Sequence, residues 1–132
     1  MSDTPWSGDV VGLVEAFRAG ERSPSEELEA TLAAVEASDL NAVCHVDAEA
    51  ARVAAAAADV SLPFGGVPLA VKELLAVGGW PASLGSLPLA DKVGDIADNF
   101  FAIAEHDQVD VGGVVQIAGA HLAQRQHEEA GK

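Results

Sequence analysis

The stretch on which the reading turns is Pro63-Phe64-Gly65-Gly66-Val67-Pro68-Leu69-Ala70-Val71-Lys72-Glu73. Val67 to Lys72 reads as a strand, with Val67, Leu69 and Val71 facing one way and Pro68 and Ala70 the other. Both sides are apolar, which predicts an interior strand covered on its two faces. Pro63 and Gly65-Gly66 break the chain before it, and Gly78-Gly79-Trp80-Pro81 opens an irregular loop that runs through Gly85-Ser86. Lys72 closes the strand. Under a covered strand its ammonium is desolvated, burial disfavours the charged form, and the neutral amine becomes a general base of the kind that Ser-Lys hydrolases use. The competing reading is a strand-end lysine whose stem is buried and whose head reaches water.

Upstream, Val10, Leu13, Val14 and Phe17 share one face of a helix over Asp9–Ala19, stopped by Gly20. A second helix starts at Ser23 as N-cap, with Pro24 at the first helical position and Glu26 completing a capping box. Its early glutamates suit the positive end of the helix dipole, and Leu28, Leu32 and Val35 form its buried stripe. Asn41–Val46 reads as a short strand. Asp47 then caps a third helix from Ala48 to about Asp59, whose alanines allow close approach to a neighbour.

The chain has 132 residues, 21 acidic and 7 basic, for a net charge of −14. That length suits one domain. The charge argues against nucleic acid or anionic membrane as a direct ligand, because both need lysine and arginine patches. Cys44 is the only cysteine, which excludes an internal disulfide and a paired-cysteine zinc site. Between Val43 and His45-Val46 it reads as a buried, inert thiol, with His45 on the opposite strand face. The start of the chain has no signal-peptide pattern and no apolar run is long enough to span a membrane, so a cytoplasmic location is expected.

Beyond Lys92 the character changes. Helices are predicted at about Ile96–Ala104 and from Val114 to about Glu129. His121 and His127 are six residues apart and do not share a helix face as metal ligands would. His106, Asp107 and Asp110 lack the glycine-centred pattern of a calcium loop, and the Gly-Gly pairs lack the lysine of a phosphate-binding loop. No metal and no cofactor is expected.

The Lys72 segment resembles that of the amidase signature family, whose members carry a Gly-(Val/Ile)-Pro-x-x-(Val/Ile)-Lys-Asp stretch. Val77-Gly78-Gly79-Trp80-Pro81 and Gly85-Ser86 agree with it downstream. Upstream, Arg18 to Leu28, Leu40-Asn41-Ala42 and Val46 to Ala50 are similar to the family's first helices and strand, so the likeness covers roughly residues 8–92. Glu73 stands where the family usually has aspartate.

The resemblance implies an α/β fold, the N-terminal part of an amidase-type α/β/α sandwich with a mixed sheet, incomplete here. Residues 1–92 would form the amidase-like part and residues 93–132 a divergent tail, helical or poorly ordered. It also implies hydrolysis of C–N bonds in linear amides by a Ser-Ser-Lys mechanism, in which Lys72 is the proton-transfer lysine. The family's Gly-Ser-Ser-Gly-Gly and later Gly-Gly-Ser motifs are missing, and all eight serines lie at or before Ser86. A truncated chain, inactive alone and of marginal stability, is therefore expected. The substrate would be a small-molecule amide if the chain forms part of a complete enzyme. Two further readings stay open: a fragment of the A subunit of a glutamine-hydrolysing, tRNA-dependent amidotransferase, and a small non-catalytic interaction module with a protein partner.

Overall fold

The computed structural model describes residues 3–75 and 77–94, together with the backbone of residues 114–117. Helix α1 spans Val10–Ala19, α2 Pro24–Ala37 and α3 Ala48–Ala57; strand β1 is Val43–Val46, β2 Leu69–Lys72 and β3 Val114–Ile117.

The helices begin and end as their sequences dictate. The Asp9 carboxylate accepts from the Gly12 N–H, 2.8 Å away, and Gly20 closes α1 at φ 71°, a conformation that costs glycine nothing. Ser23 and Glu26 form the capping box in both directions: the Glu26 N–H donates to the Ser23 hydroxyl, and the Ser23 N–H donates to the Glu26 carboxylate at 2.8 Å. Asp47 caps α3 by accepting from the Ala50 N–H.

Packing then joins the helices. Leu28 of α2 is fully buried against Ala51 and Ala55 of α3, with Leu32 half-covered beside them. The small alanine side chains let the two helices lie close, so burial of one leucine contributes roughly 2 kcal/mol there. Leu13, Val14, Ala16 and Phe17 are buried on α1. Val10, read from its spacing as a core residue, is exposed in the first turn. Val35 is only half-buried.

Two arginines tie the layers. Arg18 donates from Nε to the Val60 carbonyl and from Nη2 to those of Ser61 and Leu62. Arg22 pairs with Glu27 at 2.6 Å, both side chains being almost wholly buried. Glu27 also accepts the Trp6 N–H, and Arg22 donates to the Thr4 carbonyl, so the segment before α1 is fastened down. Glu27 is thus more than a charge at the positive end of a dipole. Removing one partner of a buried pair leaves the other charge uncompensated, at a cost of about 3–5 kcal/mol.

The three strands form a mixed sheet in the order β1-β3-β2, with β3 antiparallel to β1 and parallel to β2. This corrects two expectations. Val114–Ile117 form a strand, not the start of a helix: a short apolar run carries no period that separates the two, and pairing with two neighbours decides it; the rest of the helix expected to about Glu129 lies outside the described residues. Among the described residues, strand β2 is covered on one face, not two. Val71 is buried and Leu69 half-buried, whereas Ala70 and Lys72 are exposed. Strand β1 alternates in the same way, with Val43 and His45 half-buried and Cys44 and Val46 exposed. Cys44 is therefore not a buried thiol. The helix expected at Ile96–Ala104 lies outside the described residues. No helix among the described residues is long and apolar enough to cross a membrane.

A tight turn delivers the chain to β2. A Cβ on Gly65 would fall 1.8 Å from the Asp59 carbonyl oxygen. Gly65→Ala is expected to destabilise the fold by about 3 kcal/mol or more, since backbone must move to make room. Gly20→Ala, with open space around it, should cost only about 1 kcal/mol for its positive φ. Urea titration of both variants checks the ranking. The Glu26 carboxyl is held below the ordinary glutamate value, first by the Ser23 N–H and then by its hydroxyl. A lowered value in the folded state means the stabilisation is present above the ordinary glutamate range and lost as pH falls through the lowered one. Ser23→Ala should cost about 1 kcal/mol at neutral pH and shift the Glu26 titration upward, read by NMR.

Candidate functional site

The site is built where β2 ends. Lys72 is exposed on the open face of the sheet. Register puts Val46 and Ala70 in one row, both opposite Val115, so these two share a face, with Lys72 two residues beyond Ala70; the register of β1 shifts between Val43 and His45, where Cys44 is exposed. The desolvation expected of Lys72 needs a second covering layer, and β2 has none on this side among the described residues.

Glu73, the next residue, turns inward and is buried. Its Oε1 accepts the Ser83 hydroxyl at 2.8 Å and the Leu84 N–H at 2.9 Å. Leu84 has φ 53° and Gly85 φ 67°, and the Ser86 N–H donates to the Ser83 carbonyl. A left-handed leucine costs of order 1 kcal/mol. The bond to a buried carboxylate offsets that cost, so Glu73 fixes the Ser83–Ser86 turn relative to the end of β2. The sequence marked Glu73 only as a substitute for aspartate. The signal that could have revealed its role is a lone serine, Ser83, set in an apolar loop within reach of a carboxylate.

The loop after β2 is less irregular than expected. Gly78 bridges Gly94, Pro81 bridges Val93, and Leu87–Leu89 makes one 3₁₀ turn. Gly94 is required there, because a Cβ would lie 2.3 Å from the Val77 carbonyl oxygen. Trp80 packs on Val71 and Val77 and meets the His45 ring edge-on, with centroids 4.8 Å apart. His45 thus lies on the covered face, and Cys44, at the register shift before it, is exposed. Partial desolvation of the sulfur, followed by the nearby Glu73 charge, pushes the Cys44 thiol up, which keeps the reactive thiolate scarce.

Of the serines, Ser83 is committed to Glu73 and Ser23 to the α2 cap. Among the described residues no cluster of His, Cys, Asp or Glu is placed to hold a metal ion. His106, Asp107, Asp110, His121 and His127 lie outside those residues. A cavity of about 350 Å³ opens between α2 and β1, lined by Thr31, Ala34, Val35, Ser38 and Asn41–Val43, well apart from Lys72 in the chain.

The family model for Amidase matches residues 26–112, which include Lys72 and Glu73 and run past Lys92. This chain belongs to the amidase family. It is 38% identical over 91 residues to the A subunit of a glutamyl-tRNA(Gln) amidotransferase from Bordetella avium, a stretch that takes in 64% of this chain and 18% of that protein. A bacterial aryl acylamidase of the amidase signature family superposes with a TM-score of 0.72 at 26% identity, over 92% of this chain and 27% of that one. An inhibitor-bound protein complex, described as vestigial and bearing on the origins of an s-triazine catabolic enzyme, superposes at 0.70 and 25% identity, over 83% and 25%. The amidase chain thus spans roughly a fifth to a quarter of the length of these relatives.

Glu73→Ala should strand the Ser83 hydroxyl and the Leu84 N–H without their acceptor, at a cost of about 1–3 kcal/mol. Amide hydrogen exchange provides the check. Leu84 is expected to lose protection while α1 and α2 keep theirs.

Proposed function

We propose that this chain is the N-terminal part of an amidase-signature hydrolase acting on the C–N bond of linear amides, with Lys72 as its proton-transfer lysine. The observation that carries this reading is the placement of Lys72. It stands at the end of β2, inside the matched segment, on a sheet face open to receive further structure. The fold is then the first portion of an α/β/α sandwich around a mixed sheet.

The chemistry follows from that placement. In a Ser-Ser-Lys site the neutral lysine takes a proton from a bridging serine, which takes one from the nucleophilic serine as it attacks the amide carbon. The proton then passes to the departing nitrogen. Backbone N–H groups hold the negative oxygen that forms. Lys72 is the only one of these groups that the family wording assigns here. Covering the open face would exclude water from Lys72, and burial favours the neutral amine. Alone, with Lys72 in solvent and no assigned nucleophile, the chain is catalytically incomplete. The likeness to the A subunit of the amidotransferase supports a glutamine amide as substrate, and the likeness to the aryl acylamidase supports an aryl amide.

The test is a graft. Residues 26–92 replace the matched stretch of the Bordetella avium protein, and glutamine hydrolysis is assayed. The graft is expected to be active, and Lys72→Ala within it should lower kcat by about 10²- to 10⁴-fold, the usual share of a general base. Lys72 is exposed, so the variant should fold normally by circular dichroism. Undiminished hydrolysis in the Lys72→Ala graft, or amide turnover by the 132-residue chain alone, would overturn the reading.

A further inference from the structure

Lys72 is the last residue of β2, paired across the sheet with Ile117. Strand ends fray unless something beyond the ladder holds them, and a lysine carries its amine on a long, flexible stem. Proton transfer tolerates little wander: a misplacement of about 1 Å costs about 100-fold in rate. The residues just beyond Lys72 therefore matter to it. Two features brace them. The Leu75 N–H donates to the Lys72 carbonyl at 2.8 Å, which closes a turn directly on the lysine. Inside that turn Glu73 is 4% exposed, and its Oε1 accepts both the Ser83 hydroxyl and the Leu84 N–H.

What Glu73 reaches is itself braced. The Gly79 N–H donates to the Gly94 carbonyl, the Gly94 N–H to that of Trp80, and the Ala82 N–H to that of Lys92 at 2.9 Å. Residues 77–94 thus form a closed clasp, anchored through Val77 and Trp80 against Val71. Ser83, also buried, sits on that clasp. Burying a carboxylate is costly unless its hydrogen bonds are made, and bonds to a carboxylate are among the stronger ones. Glu73 is therefore a latch between the clasp and β2, one peptide plane from Lys72.

We infer that Glu73 is a positioning residue for Lys72: by tying the strand end to the 77–94 clasp, it fixes the lysine where the proposed proton transfer needs it. The inference rests on the amidase reading above and adds a second residue to it. Glu73 is buried where Lys72 is exposed, so it acts through its neighbour.

Amide exchange on the whole chain reads the coupling. In Glu73→Ala the Leu75 N–H, bonded to the Lys72 carbonyl, should lose protection by about tenfold together with that of Leu84, while α1 and α2 keep theirs. Ser83→Ala removes one of the two bonds and keeps the carboxylate; it should shift Leu75 in the same direction by about threefold, which guards against misfolding of the first variant. Loss at Leu84 with Leu75 unchanged in both variants would overturn the inference, because the carboxylate would then serve the loop alone. The Lys72 graft, extended to residue 94 to keep the clasp whole, reads the consequence. Glu73→Ala there should lower kcat by about 10- to 100-fold and leave KM unchanged, and Glu73→Gln, which retains an oxygen to accept the same bonds, should recover most of the loss. In a Lys72→Ala background Glu73→Ala should cost nothing further, since a residue acting through Lys72 has nothing left to act on. Losses that multiply would mark a general structural role and overturn the inference. Full activity of the Glu73→Ala graft would overturn it while leaving the lysine's role standing. An active Lys72→Ala graft would remove the amidase reading, and this inference with it.

Discussion

Strands β1 and β2 are each hydrogen-bonded to β3, which lies between them. Everything at the site depends on that strand. β2 ends in Lys72 and leads directly into the buried Glu73, so a strand contributed by residues 114–117 holds the site's geometry. The dependence is physical: a backbone strand removed from water without a partner forfeits its hydrogen bonds, and a two-stranded ribbon is marginal in water. The sheet closes only after the chain has passed through the helices and the loop, which makes it the non-local part of this structure.

Around that sheet, local caps and contacts between distant segments act together. Capped helices are fixed within a few residues, while the Leu28 contact with Ala51 and Ala55 and the Arg18 bonds to the 60–62 turn tie together segments distant in sequence. The buried Arg22–Glu27 pair joins the start of the chain to α2. Among the described residues one face of β2 is covered, by Val77 and Trp80, and the other is exposed.

The readable and unreadable parts divide along the same line. Caps, helix faces and the approach to β2 were legible because each is written within a few residues: Ser23-Pro24 with Glu26, Gly20 after Phe17, Gly65-Gly66 before Val67. The identity of Lys72 as the residue to watch was legible in the family wording of its segment. What escaped was set by partners distant in sequence. Val114–Ile117 gave no period to tell a strand from a helix, and its role comes from pairing with β1 and β2. The apolar residues on both sides of β2 suggested cover on two faces, whereas among the described residues only one is covered, so Lys72 and Cys44 are exposed where burial was expected. Glu73 and Glu27 read as ordinary carboxylates, and only folding brings Ser83 to the one and the Trp6 N–H to the other.

The decisive measurement is amide hydrogen exchange across β1 and β2 in the whole chain and in a chain ending at residue 94. With β3 as the shared partner, protection at Val43–Val46 and Leu69–Lys72 should fall together in the shortened chain, while α1 and α2 stay protected. Unchanged protection in both strands would contradict a sheet held together by Val114–Ile117, and with it the placement of Lys72 on which the proposed chemistry rests.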